Sequence, residues 1–388
     1  CLFAIYLSSL PLLILIAVSA ATLFFCEFLI YYVTIISCRW PKLNNAESSA
    51  SQEKVWAMIL SDTHMLGPIR GHWLDKLKRE WQMHRAFQTA LTIFQPEVVF
   101  MLGDIFDEGD FVNKEQYKEY VLRFHKVFRM PKDTRLIALA GNHDIGFHYR
   151  MNPYFLDRFE KEFSNTGVEL HTIKNVHFIT INSMAMEDDG CDFCDRVQKD
   201  ISKISRELGS CDRGVITYYT ILIFFCKPFH LKHFPTYRVS DAVCKQHDAP
   251  NLERYRENWE VLSKKSTDFL AKMLEPRLVF SGHSHHFCKL RNRMGIEEYT
   301  LSSFNWRNKN NPSFVLAVFT PDNYAVSVCY MPQESTVMTI YVVVAIALLI
   351  AATHKMVQQI LDRINLRKKL RKKNHDDINI NTHLIKTF

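Results

Sequence analysis

The sequence predicts an α/β fold whose functional residues gather at one rim of a sheet. Short apolar runs recur along the chain, and segments with the periodicity of amphipathic helices separate them. Four of the apolar runs end directly in Asp, Asn or His residues. Polar residues just past strand ends lie where open α/β sheets place their sites. Four separate segments are therefore predicted to build one site.

The four predicted strands span residues 55–60, 98–102, 136–140 and 277–280. The blocks that follow them are Asp62-Thr63-His64, Gly103-Asp104-Ile105-Phe106-Asp107, Gly141-Asn142-His143-Asp144 and Gly282-His283-Ser284-His285. Carboxylate, imidazole and amide donors without thiolates suit a site for manganese, iron or zinc ions. They are less typical of a structural zinc site. A carboxylate shared by two ions about 3.5–4 Å apart makes a two-metal hydrolytic centre.

Amphipathic helices are predicted at residues 71–94, 110–130 and 262–274, and a further buried strand at 177–182. The first helix carries six apolar residues on recurring faces, namely Trp73, Leu77, Trp81, Phe87, Leu91 and Phe94. We expect these six side chains to lie in the core behind the sheet rather than to form a substrate platform. The same spacing at Phe155, Phe159 and Phe163 predicts another core-facing helix.

The four blocks, in this order, resemble the signature of the calcineurin-like metallophosphoesterases, and the resemblance extends over residues 55–330. It implies a four-layer α/β/β/α metallophosphoesterase sandwich that binds two divalent metal ions, with manganese as the expected ion. The first ion would be bound by Asp62, His64, Asp104 and His285. The second would be bound by Asp104, Asn142, His233 and His283, where His233 opens the block His-Phe-Pro-Thr-Tyr-Arg.

The resemblance also implies roles for residues around the ions. His143 would protonate the leaving oxygen or stabilise charge on the phosphoryl group. Asp144 would orient His143, and Asp107 would support the site through hydrogen bonds. Arg238 ends the His233 block, and its guanidinium is a candidate for bidentate binding of a phosphate oxygen.

Three other features carry expectations of their own. His230 is expected to be a neighbour of the site, and His286 to be a solvated side chain that binds no metal. The run His148-Tyr149-Arg150 directly follows the third block, where it either lines the substrate pocket or forms a surface turn. Residues 214–226 are surplus apolar sequence relative to the family pattern and too short for an ordinary span. Three interpretations of this segment remain open: an insertion specific to the lineage, a loop that dips into the membrane, and an error in the gene model.

Both ends of the chain predict membrane spans. Residues 2–36 are almost wholly apolar and exceed the roughly 20 residues that a bilayer requires. The alternative, a cleaved signal peptide, has an apolar core of only about 7–15 residues. Residues 337–353 form a second uncharged run, so the predicted fold is a sandwich with a transmembrane helix at each end. Because the sequence begins at Cys1, we expect the natural chain to have residues before it.

The formal net charge of +7 is concentrated in the C-terminal tail. Six Lys and Arg residues lie within 367–373, and clustered basic residues near a span normally stay cytoplasmic. The region between the spans is therefore expected to be lumenal or extracellular. It is nearly neutral, which argues against nucleic acid as the substrate. The tail is interpreted as an ordinary stop-transfer anchor, with a sorting signal that contacts coats or cargo receptors as the alternative.

The predicted organisation has five segments: a span at 1–38, a polar linker at 39–54, the catalytic domain at 55–330, a second span at 331–354 and a basic tail at 355–388. Seven of the ten cysteines lie between the spans, and an oxidising lumen permits disulfides among them. Cys191 and Cys194 are predicted to form a structural disulfide, because this single Cys-x-x-Cys pair lies in a polar loop. The odd number predicts at least one unpaired thiol.

Two further stretches, 233–238 and 303–314, together with the spans, resemble the branch of the family that removes ethanolamine phosphate from a mannose of glycosylphosphatidylinositol (GPI) anchors. This resemblance implies GPI-anchored proteins as substrates and a role in their transport from the endoplasmic reticulum (ER) to the Golgi. It implies a location at ER exit sites, the ER–Golgi intermediate compartment and the cis-Golgi. One alternative is a broader membrane phosphatase or phosphodiesterase acting on another lipid or a nucleotide. The other is a non-catalytic cargo receptor, which the presence of Asp104, Asn142 and His143 disfavours.

Overall fold

The structure is a computed structural model that describes residues 2–44, 52–165, 167–186, 191–211, 227–245 and 254–385. It divides into two compact units, one formed by residues 27–334 and the other by residues 1–26 and 335–388. The surplus apolar segment at 214–226 lies outside the described residues.

The strands lie in the unit formed by residues 27–334. In chain order they are β1 Val55–Leu60, β2 Val98–Met101, β3 Arg135–Ala138, β4 Val168–Ile173, β5 Val176–Ile181, β6 Phe229–Lys232, β7 Leu278–Ser281, β8 Cys288–Arg291, β9 Glu297–Thr300, β10 Ser313–Phe319 and β11 Tyr324–Tyr330. The α-helices of the chain are α1 Leu2–Phe24, α2 Ile30–Ile35, α3 Trp73–Phe94, α4 Lys114–Val127, α5 Asn142–Ile145, α6 Pro153–Phe163, α7 Asp192–Cys211, α8 Lys264–Leu274 and α9 Glu334–Ile385. These elements match the predicted strands and amphipathic helices to within a few residues at each end.

Local sequence sets where several helices begin. The side chains of Asn113 and Gln116 form a reciprocal capping box at the start of α4. Asn152 caps α6, and Pro153 occupies its first turn, where a missing N–H costs nothing. Ser263 caps α8 by accepting from the N–H of Ser266.

Two sheets form the centre of the unit 27–334. The five-stranded sheet has the order β11-β10-β1-β2-β3, and β1, β2 and β3 are parallel. The six-stranded sheet has the order β4-β5-β6-β7-β9-β8, and β5, β6, β7 and β9 are parallel. The carboxyl ends of parallel neighbours meet at one edge, where such sheets place their sites. The loops after β1, β2 and β3 are therefore brought together on one sheet, and those after β6 and β7 on the other.

The inner faces of the two sheets pack on each other through a shared apolar core. Phe100 of β2 and Phe178 of β5 have ring centroids 5.1 Å apart, and Phe319 of β10 lies 4.5 Å from Phe229 of β6. Helices cover the outer faces, since α3 lies against β10 and α4 while α7 contacts β4 and α8. The order helix, sheet, sheet, helix confirms the predicted four-layer sandwich.

The first half of α3 differs from the prediction. Phe87, Leu91 and Phe94 are buried as expected. Trp73 and Leu77, however, are 65% and 59% exposed, so the expectation that they lie in the core is wrong. A helical period identifies one face of a helix, but it does not tell how far along the helix its partner sheet extends.

Among the described residues, two helical segments are long and apolar enough to be candidate membrane spans, Leu12–Ile35 and Glu334–Arg371. The first runs from α1 through a π-helical turn at Phe25–Leu29 into α2, whose Ile30, Tyr31 and Ile35 are buried. The second lies in α9, which has 52 residues and continues past the predicted span into the basic tail.

Three disulfides join cysteines among the described residues: Cys38–Cys329, Cys191–Cys194 and Cys244–Cys288. The predicted Cys191–Cys194 disulfide is confirmed. The sequence places Cys38 in or beside the first span, and the structure bonds it to Cys329 near the end of β11. This disulfide ties the segment that follows the first candidate span to the strand that precedes the second.

Loss of the Cys38–Cys329 disulfide is expected to lower thermal stability more than loss of Cys191–Cys194. The first joins cysteines separated by 291 residues and the second by 3, and the entropy removed from the unfolded chain grows with loop length. Cys38→Ser with Cys329→Ser is expected to cost about 2–4 kcal/mol, measured as a fall in Tm of the full chain in detergent. Cys191→Ser with Cys194→Ser is the control, and equal falls for both pairs would contradict this expectation.

Candidate metal centre

The loops that carry the predicted ligands turn sharply where their strands end. Asp62, His64, Asp104, His283 and His285 have φ values between 40° and 71°, in the left-handed region that non-glycine residues rarely adopt. Each such residue costs on the order of 1–3 kcal/mol unless its surroundings hold it, and such residues cluster at functional sites. Their concentration in these loops therefore indicates that function determines the loop shapes.

The loops after β2 and β3 approach each other closely at Asp104. A Cβ added at Gly141 would overlap the Asp104 carboxylate, so glycine at this position permits the approach. The backbone N–H of His143 donates to Asp104 Oδ1 at 2.8 Å. One oxygen of Asp104 is thus held by the backbone, and the other is presented to the surrounding imidazoles.

The first predicted ligand set is brought together at the edge of the two sheets. Asp62, His64, Asp104 and His285 each offer a ligand atom within 4.8 Å of all the others. His64 Nε2 lies 3.2 Å from His285 Nε2 and 3.5 Å from Asp104 Oδ2. His285 Nε2 lies 3.4 Å from Asp62 Oδ1. These atoms surround one position for a cation.

The second predicted set lies beside the first and shares Asp104 with it. Asp104, His233 and His283 form another group of candidate ligands within the same 4.8 Å limit. His233 Nε2 lies 3.3 Å from Asp104 Oδ2, 3.2 Å from Asn142 Oδ1 and 3.2 Å from His283 Nδ1. Since Asp104 Oδ2 is close to both His64 and His233, a single carboxylate oxygen faces both ligand sets. That is the arrangement a bridging ligand needs.

Backbone carbonyls orient two of the imidazoles through the ring nitrogen that does not face the site. His233 Nδ1 lies 2.8 Å from Leu102 O, and His283 Nε2 lies 2.8 Å from Trp259 O. Such hydrogen bonds fix the tautomer of a metal-binding histidine. They leave Nε2 of His233 and Nδ1 of His283 as the nitrogens available to a cation.

Buried charges favour the states that cation binding requires for Asp62, Asp104 and His283, whereas they favour a proton on His233. Burial acts to raise the pKa of Asp62, but the His285 imidazole outweighs it and lowers that pKa to about 2. Burial also acts to raise the pKa of Asp104, yet His233 holds it well below its usual range. Burial lowers the pKa of His283 to about 3. Burial acts to lower the pKa of His233 too, but the Asp104 charge raises it to about 9. Because metal binding displaces protons from ligands, a cation bound here would replace the proton on His233.

The donor set fits a pair of divalent ions. It consists of carboxylates, imidazoles and one amide oxygen, all buried or partly buried, and it includes no thiolate. Such donors suit manganese, iron and zinc. Two ions that share a carboxylate suit phosphoester hydrolysis.

Asp107 lies behind the first ligand set, as the sequence predicts. Its Oδ1 is 3.1 Å from His64 Nδ1 and also accepts from the Arg307 guanidinium. Burial acts to raise the pKa of Asp107, but His64 and Arg307 outweigh it and lower that pKa to about 2. Asp107 therefore orients a ligand and does not need to bind a metal itself.

Asp107→Ala is expected to weaken metal affinity about 10- to 100-fold, because removal of an outer hydrogen-bond partner of a ligand typically has that effect. The affinity would be measured by titrating manganese into metal-stripped full chain and following hydrolysis of methyl p-nitrophenyl phosphate. Asp157→Ala is the control, since this carboxylate is 58% exposed on α6. Unchanged metal affinity in Asp107→Ala would exclude the orienting role.

His143 lies at the open side of the centre. Its side chain is 29% exposed, and its Nδ1 lies 3.0 Å from the backbone carbonyl oxygen of Asp107. Nδ1 therefore donates to this carbonyl, and Nε2 remains for a substrate. Burial acts to lower the pKa of His143, but Asp104 and Asp107 raise it above its ordinary value.

The predicted role of Asp144 is wrong. Its carboxylate is fully buried and accepts from the backbone N–H groups of Gly141 (2.9 Å), Ile105 (3.2 Å) and Phe106 (2.8 Å). It ties the loop after β2 to the loop after β3, and the Asp107 carbonyl orients His143 instead. Three backbone donors on these two loops outcompete a neighbouring imidazole because a buried carboxylate needs several hydrogen bonds.

The predicted phosphate-binding role of Arg238 is also wrong. Arg238 is only 8% exposed, and its guanidinium lies 2.5 Å from Asp241 Oδ1 and 3.2 Å from Thr300 Oγ1. His286 was expected to be solvated, but it is buried and contacts the same Asp241 carboxylate. These residues form a buried ionic network that supports the fold. His230, predicted to be a neighbour, is buried on β6 and belongs to neither ligand set.

Two arginines near His143 have no counterpart in the sequence prediction. Arg70 Nη1 lies 3.4 Å from His143 Nδ1 and 3.2 Å from Asp107 O. The Arg70 and Arg307 side chains are 44% and 27% exposed. Arg307 lies in the 303–314 stretch, which indicates the family branch but assigns no role to Arg307. Nothing in the sequence distinguishes Arg70. Arg70 is exposed and Arg307 is partly exposed and paired with Asp107, and guanidinium groups beside a cation pair are suited to bind phosphate oxygens.

Comparisons with known proteins agree with this geometry. The sequence model of the Calcineurin-like phosphoesterase family matches residues 56–287. A Drosophila melanogaster protein named Metallophosphoesterase 1 homolog is 51% identical over 336 residues, which cover 84% of this chain and 89% of that protein. Metallophosphoesterase 1 of Ailuropoda melanoleuca is 46% identical over 334 residues, 84% of each chain. Metallophosphoesterase 1 of Danio rerio is 44% identical over 330 residues, which cover 82% of this chain and 84% of that protein.

Proposed function

The chain belongs to the calcineurin-like phosphoesterase family, and from that premise we propose that it removes ethanolamine phosphate from a mannose of GPI anchors. Metal-dependent phosphoester hydrolysis is the activity of the family, and the candidate centre is complete for it. The observation that carries this activity is the position of Asp104 Oδ2, 3.5 Å from His64 Nε2 and 3.3 Å from His233 Nε2. The substrate is the part of the proposal that goes beyond the family.

Two divalent ions, when bound by the two ligand sets, supply Lewis acidity at a phosphoryl oxygen and lower the pKa of a water molecule. We propose manganese for both positions. Arg70 and Arg307 would bind the remaining phosphoryl oxygens and hold the phosphodiester in line for attack. Water adds to phosphorus, the bond from phosphorus to the mannose oxygen breaks, and ethanolamine phosphate and a mannose hydroxyl are the products.

The leaving mannose oxygen needs a proton, and His143 is placed to supply it. The Asp107 carbonyl fixes the ring through Nδ1, so the proton for transfer is carried on Nε2. Burial acts to lower the pKa of His143, but the Asp104 and Asp107 carboxylates raise it above its ordinary value, which favours the protonated imidazole. This is the state that a general acid requires.

An aromatic wall beside the second ligand set favours a sugar or an ammonium group as part of the substrate. The wall consists of Phe147, Tyr149 and Trp259, with ring centroids 5.2–6.0 Å apart. Tyr149 and Trp259 are 56% and 40% exposed, and the Trp259 carbonyl accepts from the candidate ligand His283. Aromatic faces attract ammonium groups and offer an apolar surface to a sugar ring. Of the two expectations for the 148–150 run, this wall favours the one that lines the pocket.

Trp259→Ala is expected to raise the KM for a GPI glycan about tenfold, because it removes a desolvated aromatic contact worth on the order of 1–2 kcal/mol. The KM for methyl p-nitrophenyl phosphate, which lacks both the sugar and the ammonium, should change little. Tyr154→Ala, which removes a 47% exposed aromatic on α6, is the control. A similar rise in KM for both substrates would show that Trp259 acts on the centre itself and not on the glycan.

We propose that the catalytic unit faces the lumen and acts at ER exit sites, in the ER–Golgi intermediate compartment and in the cis-Golgi. The two candidate spans and the basic residues of 367–373 support this orientation. GPI-anchored proteins would be the substrates, and trimming their anchors would aid their transport to the Golgi. Coat or cargo-receptor contacts would be made by the cytoplasmic tail.

The experiment that tests the substrate is a rescue assay. Cells that cannot remove the ethanolamine phosphate branch would receive the full chain or its His143→Ala variant, and their released anchors would be analysed by mass spectrometry. Loss of one ethanolamine phosphate only with the intact chain is the expected result. If neither chain changes the anchors while the purified protein hydrolyses a diester with manganese, the substrate proposal fails and another lipid or nucleotide diester takes its place.

A further inference from the structure

Four large apolar side chains at the start of α3 and in the turn before it are exposed to solvent. We call them the apolar rim: Ile69, Trp73, Leu74 and Leu77, exposed by 70%, 65%, 54% and 59%. Residues three and four apart on a helix are neighbours, so Trp73, Leu74 and Leu77 form one surface. A contiguous exposed apolar surface often marks a site of interaction with another protein or with a membrane.

The segment that enters from the first candidate span runs beside α3 in the same direction. Phe28, which belongs to that span, lies 5.4 Å from Trp81, and Trp40 further along lies 5.9 Å from Phe94. The Arg85 guanidinium also lies 4.6 Å from the Phe28 ring centroid. The part of α3 that precedes Trp81 therefore extends in the direction from which this segment arrives.

The apolar rim is the part of α3 that extends in this direction. Trp73 precedes Trp81 by eight residues, which is about 12 Å of helix. The second candidate span connects at the same place, because Glu334, the first residue of α9, pairs with Lys78 next to Leu77. Phe28 of the first candidate span and Glu334 of the second thus both contact α3 within about two turns of Trp73.

We propose that the apolar rim inserts into the lipid leaflet from which the two spans emerge. Trp73 has the residue type that concentrates at the membrane–water interface, and Ile69, Leu74 and Leu77 provide apolar area to bury among acyl chains. The occupant of this surface is the bilayer itself. The inference rests on the proposed membrane anchorage of the protein.

The apolar rim is directly connected to the catalytic centre. The backbone N–H groups of Ile69 and Arg70 donate to the buried carboxylate of Glu108, which follows Asp107. The Arg70 guanidinium then reaches Asp107 O and His143. Arg70, the proposed phosphate-binding residue, therefore directly follows Ile69 of the apolar rim. A lipid-linked substrate can keep its lipid in the leaflet while its phosphodiester reaches the centre.

Photo-crosslinking to lipid tests the insertion directly. The full chain would carry p-benzoylphenylalanine at position 73 or 77 and be reconstituted into phosphatidylcholine vesicles that contain a clickable phosphatidylcholine. Position 294 is the matched control, since Met294 is 46% exposed in the turn between β8 and β9 of the other sheet. Lipid adducts several times more abundant at 73 and 77 than at 294 are expected. Equal or lower yields at 73 and 77 would overturn the proposal.

A kinetic comparison tests the consequence. Trp73→Asp with Leu77→Asp is expected to raise the KM for a membrane-embedded lipid-linked diester on the order of tenfold, since charged groups replace buried apolar ones. Hydrolysis of soluble methyl p-nitrophenyl phosphate should be unchanged, because neither residue contacts the centre. An equal loss with both substrates would overturn the proposal. If the native chain cleaves no GPI substrate, the substrate proposal fails but the insertion proposal does not. The crosslinking yields then still decide whether the apolar rim contacts lipid.

Discussion

Asp104→Asn is expected to lower kcat for phosphodiester hydrolysis about 10³-fold or more, a loss of roughly 4 kcal/mol of transition-state stabilisation. Asp104 Oδ2 faces His64 on one side and His233 on the other, so it is the atom that both ligand sets share. A neutral amide has nearly the same shape but lacks the charge that holds two cations close together. The measurement is the rate of methyl p-nitrophenyl phosphate hydrolysis by the full chain at saturating manganese.

Asp157→Asn is the matched control for this substitution, because Asp157 is an exposed carboxylate that pairs only with Lys161 on α6 among the described residues. Its rate should equal that of the native chain. An Asp104→Asn rate within tenfold of the native rate would remove the bridging role and, with it, the two-metal mechanism.

His143→Gln is expected to lower kcat about 10²- to 10⁴-fold for a diester with an alkyl leaving group, because it removes the general acid. The effect should be much smaller with p-nitrophenolate as the leaving group, since this phenolate departs without a proton. Metal content should remain that of the native chain, because His143 belongs to neither shared ligand set around Asp104. The ratio of the two rate losses is the diagnostic measurement.

His125→Gln serves as the control, because His125 is 57% exposed on α4 and pairs with Glu162. Equal losses for both leaving groups in His143→Gln would mean that His143 stabilises charge on the phosphoryl oxygens and does not protonate the leaving group. Loss of bound metal would instead assign His143 to the ligand shell.

The ligand sets were predictable because their geometry follows from the backbone. Short parallel strands end at one edge, and a ligand side chain placed within four residues of a strand end has few directions to take. His233, which follows β6 on the other sheet, needed the family pattern, since a lone His-x-Pro sequence carries no such constraint.

Residues around the ligands were harder to predict, because their partners are decided by tertiary packing. Asp144 satisfies three backbone N–H groups, and Arg238 satisfies Asp241. The family resemblance assigns Asp144 to His143, and the place of Arg238 in the His233 block makes it a candidate for phosphate binding. Burial makes such internal pairing obligatory for a charged group, and the sequence does not reveal which charges are buried.

Trp73 and Leu77 show the same limit for apolar residues. Their spacing continues the face that Phe87 and Phe94 bury, yet they remain exposed. An apolar face has the same sequence pattern whether it meets a sheet or a lipid leaflet.

The measurement that tests the central claim most directly is the metal content of the full chain, determined by inductively coupled plasma mass spectrometry after manganese loading and removal of free ions. Two ions per native chain, two per Asp157→Asn chain and fewer than two per Asp104→Asn chain are the predicted results. One ion or none per native chain, with hydrolysis intact, would contradict a centre built on a shared Asp104.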